Sequence, residues 1–407
     1  MKKRIIALIS FLCYIICWAQ AADEHYYFKN LSIQDGLSQN SVTSILQDRK
    51  GFMWFGTKDG LNRYDGFSFR KFKYDELNNN SIGNNFVTAL YEDKKGNIWV
   101  GTDVGLYIYY PDKDAFEHFA EQTSANIRID KAISMISSDA QGQVWIAVES
   151  QGLFCYNLDT RSLTNFPLNN YPHITTNIKS FTFDNSGVLW IGFYGDGLFY
   201  SKDGLKTLLP YSTRDGSSEY VNDVVSDIVS GAYNCLYIGS AKGGLKELNL
   251  TSGKMRNILS KDEEGEPIYC RDLMMMSDNE LWMGTESGIY IYNLRTGKYT
   301  HLCGSSHDPY SLSDNAVYSL CKDKEGGVWI GSYFGGVNYY PRSYTYFEKY
   351  YPVDDKNGMH GKRVREFCMD TNGILWIGTE DGGLNRFDPR TKEFHFFAPS
   401  AGFTNIH

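Results

Sequence analysis

Proline is scarce in this 407-residue chain, 10 residues against 39 glycines, which excludes a proline-rich or collagen-like polypeptide. An excess of cations is also missing. Lysine and arginine total 40 against 48 aspartates and glutamates, for a net charge of −8. That balance argues against broad affinity for nucleic acid or anionic lipid, which needs clustered positive charge. Cysteine is sparse, and no CxxC spacing occurs among Cys155, Cys235, Cys270, Cys303, Cys321 and Cys368, so the sequence supports neither a metal centre nor a cofactor. These six read as buried small hydrophobes. No apolar run after residue 21 approaches the ~20 residues that span a bilayer. Aromatic side chains, by contrast, are plentiful: 30 Tyr, 24 Phe and 8 Trp. Aromatics with many glycines suit short strands and tight turns rather than disorder or coiled coil.

The N-terminus reads Met1-Lys2-Lys3-Arg4, an apolar run from Ile5 to Trp18, then Ala19-Gln20-Ala21. A basic region, a hydrophobic stretch and a small-x-small site predict an export signal over 1–21 and a periplasmic mature protein. Cys13 and Cys17 leave with that segment.

The rest of the chain is repetitive. Asp-x-x-Gly-x-x-Trp recurs at Asp48/Gly51/Trp54, Asp93/Gly96/Trp99, Asp139/Gly142/Trp145, Asp184/Gly187/Trp190, Asp323/Gly326/Trp329 and Asp370/Gly373/Trp376. Two further copies fill the gap, one centred on Trp282 with a shortened turn at Asp278-Asn279, the other with Tyr237 in place of Trp. The eight aromatic anchors fall 45 to 47 residues apart. Two residues beyond each anchor comes Gly (Ala147 in the third copy), and six or seven beyond it a second Gly followed by Leu, Ile or Val. A strand-like run such as Val42-Thr43-Ser44-Ile45-Leu46 precedes each Asp, and two more follow the second Gly.

Each copy is therefore four short strands. Asp-x-x-Gly turns the first into the second, the carboxylate accepting backbone N–H groups and glycine supplying φ > 0. The indole offers a flat apolar surface to the neighbouring sheet, and the glycine two positions on lies on the same face, leaving room for an adjacent backbone or ring. Repeated four-stranded units that cannot bury a face alone are the signature of a β-propeller. Seven anchors, Trp54 to Trp329, predict an all-β, seven-bladed propeller over 22–350. Residues 351–407 then begin a second, truncated propeller with one blade. A single eight-bladed ring is the alternative, and the strand-like Tyr26–Leu31 fits the seventh blade, an eighth, or the last blade of a missing second propeller.

Segments such as Asn97-Ile98-Trp99-Val100-Gly101-Thr102-Asp103-Val104-Gly105-Leu106 resemble the two-component regulator propeller repeat. The opening Phe28-Lys29-Asn30-Leu31-Ser32-Ile33-Gln34-Asp35-Gly36-Leu37-Ser38-Gln39-Asn40-Ser41-Val42 resembles the start of the periplasmic sensor region of hybrid two-component systems from glycan-degrading bacteria. The resemblance implies two seven-bladed propellers ahead of a β-sandwich, a membrane helix, a histidine kinase and a response regulator. It also implies recognition of oligosaccharide fragments, a homodimer, and attachment to the membrane only through downstream regions. None of the eight histidines sits in a kinase phosphoacceptor context, and neither an ATP-binding glycine motif nor a receiver-type acidic cluster appears. The residues given are therefore expected to bind rather than catalyse. The alternatives are a sialidase-like propeller enzyme acting on carbohydrate and a protein-interaction propeller. The first is disfavoured because the sialidase box has one residue fewer between Asp and Gly, and the second because Gly-His and Trp-Asp pairs are missing.

Propeller ligands commonly sit on loops near the axis. The loops between second and third strands vary here while their flanking glycines mostly do not. Tyr194, Tyr333 and Phe334 are aromatic where other copies are mostly polar, and an exposed ring beside amides and carboxylates suits stacking on a sugar. With Asp103, Glu149, Gln151 and Asp196 from the same loops they form the candidate ligand site. No catalytic or metal-ligating residues are nominated. Met274-Met275-Met276 reads as core on a first strand, and the Asp-x-x-Gly carboxylates read as turn structure rather than a calcium loop.

Overall fold

The computed structural model describes residues 25–119, 129–166, 168, 177–211, 223–341, 348–352 and 358–397. The predicted export signal and the final residues 403–407 lie outside the described residues. The chain divides into two units, Phe28–Ser343 and a second made of Met1–Tyr27 with Tyr344–His407.

The first repeat shows how sequence becomes blade. Val42–Gln47, Met53–Thr57, Gly60–Tyr64 and Phe69–Phe72 pair antiparallel in that order. At the first turn, Asp48 Oδ1 accepts the N–H groups of Lys50 (2.9 Å) and Phe52 (3.0 Å), and Gly51 takes φ +91°. The other oxygen has a second task that the sequence did not show: Oδ2 accepts the Trp54 indole N–H at 2.8 Å. Trp99, Trp145, Trp190, Trp329 and Trp376 bond their own turn aspartates at 2.9 to 3.1 Å. One carboxylate thus fixes both the turn and the rotation of the wedge side chain. The two irregular copies find substitutes. Trp282 donates to Glu280 at 2.7 Å, and Tyr237 sits directly across the strand pair from Glu247.

Seven such sheets make up Phe28–Ser343. Their inner strands are Val42–Gln47, Val87–Glu92, Ile133–Ser138, Ile178–Phe183, Val225–Ser230, Cys270–Ser277 and Val317–Lys322; each packs on the next, and the last packs on the first. The ring is therefore closed with seven blades, not eight. Lys29–Leu31 supplies the outermost strand of blade seven, pairing antiparallel with Val337–Tyr340. The N-terminal strand thus closes the circle, and the seam is fixed further by Gly336 N–H donating to Asn40 C=O at 3.0 Å.

The core is a set of wedges between blades. Trp54 meets Tyr109 of blade two at 5.3 Å, Trp99 meets Tyr156 of blade three at 5.6 Å, and Trp329 meets Phe55 of blade one at 5.6 Å, all tilted as ring quadrupoles prefer. In the ring, the glycine two residues past the anchor, present in every blade but the third, makes room, and what fills the room is a side chain from the first position of the next inner strand rather than a ring or backbone. A methyl group added at Gly101 would stand 2.6 Å from Ile133 Cβ, and one at Gly284 2.7 Å from Val317 Cγ1. Of the cysteines, Cys155, Cys235 and Cys270 are buried as expected, whereas Cys303 and Cys368 are exposed; all six are free thiols.

An inner strand has an unpaired edge facing the axis. In four places a side chain from the preceding blade satisfies its N–H groups. Met135 Sδ accepts from Phe181 (3.3 Å), Ser180 Oγ from Ile228 (3.2 Å), Asp227 Oδ2 from Leu273 (3.0 Å) and Asp272 Oδ2 from Leu320 (2.6 Å). Ser180 also donates to Asp227 at 2.7 Å, and Asp227 and Asp272 act on each other as neighbouring carboxyls. Both are half-buried among the inner strands. That desolvation raises both above the usual carboxylate range, and Asp272 is raised further by the charge of Asp227.

The second unit contains an eighth four-stranded sheet, Val364–Met369, Leu375–Thr379, Gly383–Asp388 and Glu393–Phe397. Its core is small: Met359, Ile377, Phe387 and Phe394, with Leu375 against them.

Candidate functional site

The loops between second and third strands all lie at one end of their blades, and one hydrogen bond puts them there. In each of the eight sheets the first loop residue donates its N–H to the carbonyl just before its own inner strand: Lys58 to Ser41, Asp103 to Phe86, Glu149 to Ala132, Tyr194 to Asn177, Ala241 to Val224, Glu286 to Tyr269, Tyr333 to Ala316 and Glu380 to Arg363. A second tie runs to the next blade, from Gly60 to Asn85 C=O, Gly105 to Lys131 C=O and Gly288 to Asn315 C=O. In the seven-bladed ring these loops and the entries to the inner strands therefore surround the same end of the axis.

The seven predicted site residues fall on blades two, three, four and seven of this face. Asp103 is half-buried, and one of its carboxylate oxygens is buried without a hydrogen-bond partner among the described residues. Glu149 is exposed, and Gln151 and Asp196 are half-buried. Tyr194 is 54% exposed, and the Lys179 ammonium stands 5.4 Å from its ring centre. Tyr333 and Phe334 meet edge-to-face at 4.5 Å, with Tyr333 half-buried and Phe334 71% exposed. The ring packed on a neighbouring blade, the ordinary fate of such residues, describes neither Phe334 nor Tyr194.

The Tyr333–Phe334 pair anchors a larger group that sequence reasoning missed. Tyr318, second residue of the blade-seven inner strand, lies 4.9 Å from Tyr333, and the Arg271 guanidinium lies 4.9 Å from Tyr318. Arg271 Nε donates to Glu286 at 2.6 Å, and the charge of the same glutamate acts on the Tyr318 phenol. On the other side Lys58 places its ammonium 3.9 Å from the Tyr333 ring centre, in hydrogen-bond contact with the Tyr333 hydroxyl, and 5.8 Å from Phe86. A signal for part of this existed. The second inner-strand residue is a small hydroxyl in blades one, two, three and five (Thr43, Thr88, Ser134, Ser226) but Lys179, Arg271 and Tyr318 in blades four, six and seven. Among the described residues no group of three or more His, Cys, Asp or Glu side chains is placed to hold a metal ion.

Comparison with known proteins agrees with this architecture. Residues 36–59, 81–104, 311–334 and 358–381 match the two-component regulator propeller family. The fold superposes on the extracellular domain of a hybrid two-component system from B. thetaiotaomicron with a TM-score of 0.73 and 26% identity, covering 92% of this chain and 49% of that one. The extracellular domain of another hybrid two-component system from the same organism, at 21% identity and a TM-score of 0.66, shares the fold over 92% of this chain and 54% of its own. Histidine kinase P4 of Formosa agariphila is 39% identical over 77 residues, 19% of this chain and 5% of that protein. The chain carries two-component regulator propeller repeats and is homologous to extracellular sensor domains of hybrid two-component systems. It spans about half the length of the solved domains it matches and a small part of the kinase. No helix among the described residues is long and apolar enough to cross a membrane.

Proposed function

We propose that this chain is the ligand-sensing part of a hybrid two-component signalling protein, exported by residues 1–21 and binding oligosaccharide fragments in the periplasm. The ligand would lie on the loop face that carries Tyr194, Tyr333 and Phe334, and the eighth sheet would be the first blade of a second propeller, with a histidine kinase further along the full-length protein. One observation carries the ligand reading: large rings stand exposed at loop positions that are mostly polar in the other blades, beside carboxylates and amides able to bond sugar hydroxyls. The homologous extracellular domains support the sensing role. Binding would act on the kinase only by favouring one arrangement of the assembly over another.

Isothermal titration of the purified chain against a panel of plant and host oligosaccharides tests this. Saturable heat that is lost in Phe334→Ala and reduced in Tyr194→Ala supports it. A panel without heat, or heat indifferent to both substitutions, refutes the assignment to this face.

A further inference from the structure

We infer that the seam between blades seven and one is a subsite for a negatively charged saccharide, with Lys58 pairing the anionic substituent and Tyr333 and Phe334 receiving the sugar ring. This rests on the oligosaccharide reading above and adds the charge of the ligand and the residue that reads it.

The inference follows from how charge is balanced around Lys58. Its ammonium is held over the Tyr333 ring, touches the Tyr333 hydroxyl and faces Phe86, on a half-buried side chain, and no carboxylate forms an ion pair with it among the described residues. Three carboxylates of blades one, six and seven on the same face are committed elsewhere. Asp59 pairs with Lys73 and accepts from Asn85, Glu286 pairs with Arg271, and Asp314 accepts the N–H groups of Phe334 and Ala316. Lys58 is thus a fixed, partly desolvated cation whose neighbours satisfy it through π-faces and a phenol, interactions worth less than a charge-assisted hydrogen bond to an anion. Its position is set by the chain. The loop N–H of Lys58 bonds Ser41 C=O, and the Ser41 hydroxyl bonds Tyr333 C=O, so cation and platform are locked across the closure of the ring. Phe334, perpendicular to the Tyr333 ring that the cation covers, is largely open to solvent. A flat pyranose face suits the ring. A carboxylate or sulfate on that sugar suits a lysine, a point charge without the bidentate geometry that would restrict it to planar anions.

The test is calorimetric titration of the chain with oligogalacturonate, a sulfated glycosaminoglycan disaccharide, and neutral cello- and galacto-oligosaccharides of similar length, at low and moderate salt. Expected is binding of at least one anionic ligand, weakened at least about tenfold by Lys58→Met, which keeps the aliphatic stem, and weakened by added salt. The melting temperature of Lys58→Met should match wild type, and Lys58→Arg should restore much of the affinity. The carboxylated and sulfated arms show which anion is preferred. Neutral sugars binding as well as anionic ones, with Phe334→Ala abolishing both and Lys58→Met neither, would overturn the charge assignment while leaving the saccharide face standing. Failure of every sugar to bind would overturn both.

Discussion

The seven blades of the ring and the eighth sheet share the same repeat, yet their equivalent residues live in different surroundings. In the ring the first residue of each inner strand is fully buried, whereas Val364–Met369 is exposed along its whole length, with Phe367 70% and Met369 62% exposed. The repeat glycine shows the difference most directly. A methyl group at Gly101, Gly192 or Gly239 would run into the next blade within 2.2 to 2.6 Å, but at Gly378 the nearest atom is a carbonyl oxygen 3.7 Å away. The local motif, turn aspartate to indole, is intact in both. The motif therefore builds a blade, and only a neighbouring blade turns its glycine and indole into close packing.

That contrast can be probed from its largest consequence to its smallest. Trp99→Ala removes a fully buried wedge between blades two and three and should cost about 3–5 kcal/mol in denaturant unfolding of the ring. Trp376→Ala, where the indole is only half-buried, should cost less than half as much. Equal costs would mean the eighth sheet is covered by something besides its own strands. Next, Gly101→Ala should overpack the ring by about 1–3 kcal/mol, since the obstructing atom is a β-branched carbon close to the backbone, while Gly378→Ala should be near neutral by thermal melting.

A third probe uses pH, because the ring holds an acid pair. Asp227 and Asp272 have folded pKa values raised above the ordinary carboxylate value, so between that value and the folded ones the native ring binds more protons than the unfolded chain. Ring stability from this source is full below the ordinary value and is lost as pH rises through the folded pKa values, with a slope of at most ~1.4 kcal/mol per pH unit per proton. The groups facing the pair are the Ser180 hydroxyl, the Leu273 and Leu320 N–H groups, the Cys270 thiol and Arg271. Asp272→Asn should flatten the decline in urea midpoint between pH 4 and 8, and an unchanged slope would show that the pair does not share a proton. The smallest effect is expected at the seam, where exposed Lys324 donates to Asp48 C=O at 2.7 Å. Lys324→Ala should cost about 0.5–1.5 kcal/mol.

Much of the fold was legible because the repeat is written eight times, and spacing that regular fixes blade size, strand order and the turn. Closure was not, since Tyr26–Leu31 has no repeat signature and only its partner Val337–Tyr340 decides where it docks. The second oxygen of the turn aspartate escaped notice because turn chemistry alone accounts for an Asp at that position. Within the candidate site, Tyr194, Tyr333 and Phe334 stood out as departures from the repeat. Lys58, Arg271 and Tyr318 come from three different blades, and their meeting depends on the ring itself. Asp103 and Glu149 were legible only as loop positions, which gives no reason for the buried oxygen of one and the exposure of the other.

The docking of Lys29–Leu31 into the last blade sets an order of events. Among the earliest described residues to be synthesised, it has no partner until Val337–Tyr340 has followed, some three hundred residues later. Sheets one to six can each pair their own four strands as they emerge, but the ring stays an open arc whose two ends are unmatched until the chain's beginning returns to them. Such a distant pairing is slow by nature, so the final joining should be the step most dependent on helpers that keep an exposed arc from sticking to its neighbours.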